Sequence, residues 1–210
     1  MHVLICANGV AEATTMAPEA DLVVAADGGA RLCEALRTRP DVLIGDLDSL
    51  TAAEVARWEA AGVEILRFPV DKDQTDLELA LRLAVARGAQ RITVLGALGG
   101  RWDQSMANLL LLAHPHWRDL DVVLMDGPQR AFLVHHAGVV EGKPGDTVSL
   151  LAVAGDARGV TATGLAFPLT DGVVPFGCAL GVSNRLTASR AEITVRQGLL
   201  LVFHISGKHR

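Results

Sequence analysis

The sequence predicts an α/β protein: an N-terminal Rossmann-like parallel sheet with helices on both faces, followed by a small C-terminal antiparallel β-sandwich. Three observations carry this. Up to about Ala131, short apolar runs alternate with helix-length amphipathic stretches. Those runs are apolar throughout rather than at every second position, as strands covered on both faces require. After Ala131 no helical pattern recurs, and short β-prone runs are separated by Gly, Pro, Asp and Asn at a spacing that suits a small antiparallel sandwich or barrel. With 210 residues, the chain suits one large domain or two small ones. We read an α/β domain over 1–131 and a β domain over 138–210, joined near Phe132 to Gly138.

Taken in order, His2 to Ala7 is a strand ending in the turn Asn8-Gly9, and Asp21 to Ala26 is a second strand. Asp27-Gly28-Gly29 then opens a helix that Pro40 closes. Asp41 to Gly45 is a third strand. Ser49 or Thr51 caps the next helix, with Glu54 placed to complete a capping box from Thr51. Val63 to Phe68 is a fourth strand. A helix from Asp73 to about Arg87 carries Leu77, Leu81, Ala84 and Val85 on one face and stops at Gly88. Arg91 to Leu95 is a fifth strand, a helix spans Asp103 to Ala113, and Asp121 to Met125 is a sixth strand. In the second half, Thr147–Val153, Gly159–Thr163, Ala191–Val195 and Leu199–Ile205 are the clearest strands. Lys143-Pro144-Gly145-Asp146 and Arg196-Gln197-Gly198 read as hairpin turns, and Ser206 to Arg210 as a loose polar tail.

Composition narrows the class of function. The net charge of −5 and the lack of a Lys/Arg cluster argue against a general nucleic-acid binder. The three scattered cysteines, Cys6, Cys33 and Cys178, sit in apolar context and read as reduced, mostly buried thiols of a cytoplasmic protein. The start of the chain lacks a basic segment and a long apolar run, and Asn108-Leu-Leu-Leu-Leu-Ala is too short to span a membrane. An acidic protein that handles a polyanion needs a cation partner, so a divalent metal is an early expectation.

The acidic turns after the strands are where such a metal and a polyphosphate would gather. Asp46 and Asp48 alternate after a strand, and both project towards one spot if the backbone there stays extended. Mg²⁺ between them is one reading; Asp48-Ser49 as a helix cap with Asp46 solvated is the other. Asp73 and Asp76 fit a helix start without any ligand, with Asp73 at the N-cap, although Lys72 and Thr75 add a cation and a hydroxyl. Gly99-Gly100-Arg101 before a helix is the best phosphate signal: close backbone approach, helix N–H groups and a guanidinium fork. An ordinary Gly-rich turn with Asp103 as N-cap is the alternative. No Walker-type or Gly-x-Gly-x-x-Gly fingerprint is present, Ser105 and Ser183 lack a nucleophile-elbow context, and the histidines lack zinc spacing. Trp58 and Trp117 read as packing residues, and Trp102, in the Arg101–Asp103 turn, as a candidate for stacking.

Together, Asp27-Gly28-Gly29, Gly45-Asp46-Leu47-Asp48-Ser49, Asp73-Gln74-Thr75-Asp76 and Gly100-Arg101-Trp102-Asp103-Gln104 resemble, in order and spacing, the thiamine pyrophosphokinase family. Thr163-Gly164-Leu165-Ala166-Phe167-Pro168-Leu169 and the stretch from Phe176-Gly177 to Ser183-Asn184 are similar to its thiamine-binding segments. Phe167 stands where the family often has Trp, Gly181-Val182-Ser183-Asn184 where it has Ser-Thr-Ser-Asn, and Gln104 where many bacterial members have His. The resemblance implies transfer of the pyrophosphoryl group of ATP to the hydroxyethyl group of thiamine, giving thiamine diphosphate and AMP. It implies Asp46, Asp48, Asp76, Arg101 and Asp103 as catalytic residues, with Mg²⁺ on Asp46, Asp48 and Asp76. Asn8, Asp27, Gly28, Lys72, Asp73, Thr75, Gly99, Gly100 and Gln104 would lie by ATP, and Phe167, Leu169, Ser183 and Asn184 by thiamine. A homodimer with its sites at the subunit interface is implied as well. A diphosphokinase for another heterocyclic alcohol, such as a hydroxymethylpterin, and a thiamine or nucleotide sensor without turnover are the alternatives.

Overall fold

The computed structural model describes residues 1–12 and 14–207. It divides into two compact units, Met1–Gly127 and Pro128–Arg210. Of the polar ending expected as a tail, residues 208–210 lie outside the described residues.

The first unit runs β1 (His2–Cys6), β2 (Leu22–Ala26), α1 (Gly29–Ala35), β3 (Val42–Gly45), α2 (Ala52–Ala60), β4 (Glu64–Arg67), α3 (Asp76–Ala86), β5 (Arg91–Leu95), α4 (Trp102–Leu111), a 3₁₀ turn at Pro115–Trp117, and β6 (Asp121–Asp126). Its strands lie in the order β4-β3-β2-β1-β5-β6, with every neighbouring pair parallel. The chain starts in mid-sheet, works outward to β4 and returns beyond β1 with β5. The strand order therefore switches between β1 and β5, and a crevice opens at their carboxyl ends.

Alternation along the strands explains why they are apolar on both faces. Leu4 and Cys6 of β1, Val23 and Ala25 of β2 and Leu43 of β3 cluster with Ala30 and Cys33 of α1 and Val55 of α2. The intervening Val3, Ile5, Val24, Val42 and Ile44 are equally buried and point the other way. There α3, burying Leu77, Leu81 and Ala84, packs against β1, β2 and β3. Trp117 is buried, with its indole N–H donated to Leu111 O at 2.9 Å. Trp58 packs against the first cluster. Among the described residues, no helix is long and apolar enough to cross a membrane.

Helix starts follow the side chains that can satisfy free N–H groups. Thr51, not Ser49, caps α2, and its capping box with Glu54 is complete. Helix α3 begins later than expected because Thr75, in extended conformation, accepts the Glu78 N–H at 3.2 Å. Asp73 stays outside as an exposed turn residue rather than the cap. Arg101 occupies the N-cap position of α4, and Asp103 falls in the first turn. A carboxylate there suits the positive end of the helix dipole.

The second unit runs β7 (Gln129–Val134), β8 (Ala137–Glu141), β9 (Thr147–Ala152), β10 (Ala157–Thr163), β11 (Leu169–Val174), β12 (Asn184–Arg185), β13 (Arg190–Thr194) and β14 (Leu200–Ile205). Antiparallel neighbours form the orders β12-β9-β14-β7 and β11-β10-β13-β8. Both sets feed one core that includes Val134, Leu150, Val160, Ile193 and Leu200. Phe132 to Gly138 runs from β7 through His135-His136 into β8. The Lys143–Asp146 and Arg196–Gly198 turns are not hairpins: each joins strands that pair in different sets, β8 to β9 and β13 to β14. Turn residues disclose a reversal but not the partner of the strand that follows. Strand β11 escapes the sequence reading because Asp171 (φ 50°) and Gly172 interrupt it and its register on β10 shifts. Cys6 and Cys33 are buried as expected, whereas Cys178 is exposed on the β11–β12 connection.

One buried ionic group ties this unit together. The Asp146 carboxylate accepts the Lys143 N–H at 2.9 Å and the Gly207 N–H at 3.0 Å, and meets His204 Nε2 at 3.1 Å. The Lys143 N–H, against the opposing effect of burial, brings its pKa down to about 2. A depressed carboxylate pKa contributes stability that is complete above the unfolded value of about 3.9 and disappears as pH falls through the folded one. Urea denaturation of Asp146→Asn against wild type is therefore expected to show a stability gap at pH 7 that closes between about pH 4 and pH 2. A gap that persists unchanged to pH 2 would contradict this account.

Candidate active site

The crevice at the β1/β5 switch is a cavity of about 580 Å³ lined by the ends of four strands. Asn8 to Val10 follow β1, Asp27 follows β2, Asp46, Asp48 and Ser49 follow β3, and Gly96 to Arg101 follow β5. Lys72, Gln74, Thr75 and Asp76 come from the entry to α3, and Gln104 and Asn108 from α4.

Backbone conformations at the site are unusual for their residues. Asp27 has φ 48° and Leu47 has φ 64°, a left-handed region that costs a side-chain-bearing residue free energy. Asp46-Leu47-Asp48 is thus not the extended segment the alternation suggests. The chain turns at Leu47, whose side chain is buried in the core, and the Asp48 N–H donates to Asp46 Oδ1 at 3.2 Å. The two acids converge through this turn. Asp27, 4 % exposed, joins them: Ser49 N–H donates to its Oδ1 at 3.3 Å and Asn8 Nδ2 to its Oδ2 at 3.4 Å. Asn8 Nδ2 also reaches Ser49 Oγ at 3.0 Å. Asp27, Asp46 and Asp48 can each present one oxygen within 4.8 Å of the others. Such an all-carboxylate set suits a hard divalent cation.

Lys72 stands between two of the acids. Its Nζ lies 2.6 Å from Asp46 Oδ2 and 3.1 Å from Asp76 Oδ1, with only a tenth of its side chain exposed. The hydrogen bond from Lys72 pulls the Asp46 pKa down. Asp76 is pushed up, first by burial and then by the charge of Asp46, against the attraction of Lys72. Burial opposes the charge on Lys72, but its hydrogen bond to Asp46 and the negative charges of both acids outweigh that, and its pKa is raised. The Asp76 Oδ1 contact is an ion pair outside hydrogen-bond angles, which leaves this buried oxygen without a hydrogen-bond donor. Gly45 makes the packing feasible: at φ 140°, a Cβ there would lie 2.8 Å from Asp76 Oδ1 and 3.3 Å from Asp27 Cβ.

On the opposite wall, Arg101 and Asp103 form a two-point pair, Nε to Oδ1 at 3.1 Å and the terminal nitrogen to Oδ2 at 2.6 Å. Both are mostly exposed, so the pair contributes little to stability but aims the guanidinium. The Gly99 N–H donates to Ser105 Oγ at 3.1 Å.

Most residues singled out from the sequence therefore meet here: Asn8, Asp27, Asp46, Asp48, Lys72, Thr75, Asp76, Gly99, Gly100, Arg101 and Gln104 all line the cavity. Gly28 lies behind Asn8, where a side chain would overlap the Asn8 amide. Asp73, Asp103 and Trp102 are exposed and are not among the lining residues. Ser49 and Gln74, which the motifs contain without a site role, and Asn108, which no motif contains, line the cavity as well. Asn108, whose Nδ2 donates to Ala97 O at 2.7 Å, sits one turn beyond Gln104 on α4, so helical spacing alone was the available signal.

In the second unit, Leu165 bridges Leu186 and the Ala166 N–H donates to Arg185 O at 2.9 Å, which brings the two suggested ring-binding segments side by side. Phe167 is 67 % exposed. Asn184 is buried, its Oδ1 accepting the Phe167 N–H at 3.0 Å and its Nδ2 donating to Phe167 O at 2.7 Å. Its amide holds Phe167 in place rather than facing outward. Leu169 packs against the core, and Ser183 is exposed at φ 62°.

Comparisons with known proteins point to one family. The family model described as thiamin pyrophosphokinase, catalytic domain, matches residues 13–124, and that of the vitamin B1 binding domain matches residues 137–200. The chain is 29% identical over 165 residues to the thiamine pyrophosphokinase of Bacillus subtilis, covering 78% of this chain and 77% of that one. The crystal structure of the Bacillus subtilis thiamine pyrophosphokinase matches with a TM-score of 0.86 at 26% identity, over 99% of this chain and 100% of that one. That of a thiamin pyrophosphokinase family protein from Enterococcus faecalis matches with a TM-score of 0.87 at 25% identity, again over 99% and 100%.

The acidic cluster makes a direct test available. Asp48→Asn is expected to weaken Mn²⁺ binding, followed by electron paramagnetic resonance, by about tenfold or more, about 1.4 kcal/mol, with thermal melting unchanged. Equal Mn²⁺ affinity in the variant and wild type would remove Asp48 from any cation seat.

Proposed function

The chain belongs to the thiamin pyrophosphokinase family, and from that premise we propose that it transfers the pyrophosphoryl group of ATP to the hydroxyethyl oxygen of thiamine, giving thiamine diphosphate and AMP. The observation that carries this reading is the convergence of the four separate sequence turns on one cavity at the β1/β5 switch. Glycine-rich turns, a guanidinium and clustered carboxylates in one crevice are what a metal-bound polyphosphate requires.

The donor set fits Mg²⁺: Asp46 and Asp48 would hold it, with Asp27 grouped beside them and the donor-less Asp76 Oδ1 available once Lys72 moves to a phosphate oxygen. When bound, the ion supplies positive charge against the negative charge that grows on the phosphate oxygens. Arg101, steadied by Asp103, holds phosphate oxygens beside the Gly99-Gly100 turn, whose missing side chains allow close approach. Lys72 adds a mobile positive charge on the opposite side. Asn8, Asp27, Thr75 and Gln104 border the nucleotide, Gly28 backs Asn8 by leaving room for its amide, and Asp73 flanks the nucleotide from the turn before α3. Phosphoryl transfer through a loose transition state depends on positioning and electrostatics more than on a dedicated base. The chain is proposed to supply these and no general base.

In the second unit, read as a β-sandwich, Phe167 offers its ring face to thiamine, with Ser183 nearby and Leu169 and Asn184 supporting from behind. The first unit is read as Rossmann-like, the protein as cytoplasmic, and the assembly as a homodimer with its sites at the subunit interface.

Incubation with ATP, Mg²⁺ and thiamine is expected to yield thiamine diphosphate and AMP in equal amounts. ADP as product, or no AMP above a control without thiamine, would overturn the reading. Asp46→Asn and Asp48→Asn should each lower kcat by about 100-fold or more, in the range seen when a transition-state charge contact is removed, with the fold intact. Phe167→Ala should chiefly raise the thiamine KM. An unchanged thiamine KM would take the ring contact away from Phe167.

A further inference from the structure

Thr15 and Asp126 do not line the cavity, yet they fasten the segment that forms one of its walls. Asp126, at the end of β6, accepts the Glu12 N–H on Oδ1 at 2.6 Å. The Thr15 hydroxyl donates to the same oxygen at 3.0 Å and accepts the Gly127 N–H at 2.8 Å. Thr15 is buried, so both of its hydrogen bonds are shielded from water. Gly127, at φ 52°, is approached so closely that a Cβ there would meet Thr14 Oγ1 at 2.7 Å and overlap the Glu12 carboxylate.

The near side of the same segment is fastened separately. Gly9 N–H donates to Gly96 O at 2.7 Å and Val10 N–H to Leu98 O at 3.2 Å. Asn8, Gly9 and Val10, which line the cavity, are thus held between the β5–α4 turn and the Asp126–Thr15 latch. Asp46, Asp48, Lys72, Asp76 and Arg101 stand on other connections with contacts of their own.

We infer that Thr15 and Asp126 are positioning residues that hold the Asn8–Val10 wall in its binding-competent place, and so set nucleotide affinity rather than the rate of transfer. The inference rests on the ATP-dependent reading of the cavity. A wall in place for only a fraction of the time lowers apparent affinity by that fraction.

The test compares Thr15→Val, Thr15→Ser and Asp126→Ala with wild type in kinetics and in amide hydrogen exchange at Gly9 and Val10. Thr15→Val and Asp126→Ala are expected to raise the ATP KM about fivefold or more, leave kcat within about twofold, and speed exchange at both amides. Thr15→Ser keeps the hydroxyl and should behave as wild type. An unchanged ATP KM in folded Thr15→Val, equal losses in Thr15→Ser and Thr15→Val, or a fall in kcat without a change in KM would each overturn the inference. Should Asp126→Ala fail to fold, the two Thr15 variants decide alone. If wild type makes no thiamine diphosphate, the proposed reaction fails, and exchange at Gly9 and Val10 still decides whether the latch exists.

Discussion

Crowded negative charge is the constraint on which the cavity depends. Asp27, Asp46, Asp48 and Asp76 are brought to one end of a sheet by a fold that cannot place them elsewhere, and like charges at such separations repel strongly once water is displaced. Lys72 answers this by inserting its ammonium between Asp46 and Asp76, near enough to pull one pKa down while burial pushes the other up. Opposite shifts in neighbouring carboxylates follow from their unlike surroundings. The cluster carries a balancing cation of its own in Lys72, yet it retains an oxygen on Asp76 with no hydrogen-bond donor. A site balanced by one of its own side chains can pass from that cation to another without first exposing bare, repelling acids.

The strained backbone serves the same end. Leu47 is held left-handed because its side chain is drawn into the core while the chain must turn between Asp46 and Asp48. Asp27 is left-handed too, its N–H spent on Ile44 O at 2.9 Å and its carboxylate on Asn8 and Ser49. Gly45 lies where any side chain would force Asp76 and Asp27 apart. Hydrophobic burial and hydrogen bonding around these residues hold the acids in place, so the geometry is set before any substrate arrives.

How much of this could be read in advance follows from the range of each interaction. Continuous apolar runs announce β1 to β6 and the amphipathic stretches announce α1 to α4, because burial on two faces leaves a local pattern. The capping box at Thr51 and Glu54 was legible for the same reason: its partners are three residues apart. The Leu47 turn was not legible, since a left-handed leucine is decided by the core and not by its neighbours. Nor was the pairing of strands in the second unit, where Lys143–Asp146 and Arg196–Gly198 pass the chain between sets instead of closing hairpins. The buried Asp146–His204 contact joins residues 58 positions apart, and no local signal leads from one to the other.

The same limit governs what a motif says about a site. A motif gives residue types in order but not which end of each side chain meets the substrate. Asn184 and Asp103 both belong to such motifs, yet the first spends its amide on the main chain of Phe167 and the second its carboxylate on Arg101. Each leaves its partner exposed, Phe167 as a ring face and Arg101 as a charged fork. Exposed groups of that kind lose conformational freedom on binding unless something already holds them. Polar residues that make no outward contact thus lower the entropic cost for those that do. Asn8 does both: its amide bonds to Asp27 and Ser49 while it lines the cavity. A loss of activity on replacing any of these residues would therefore implicate the pair, and only the separation of KM from kcat assigns the contact to one partner.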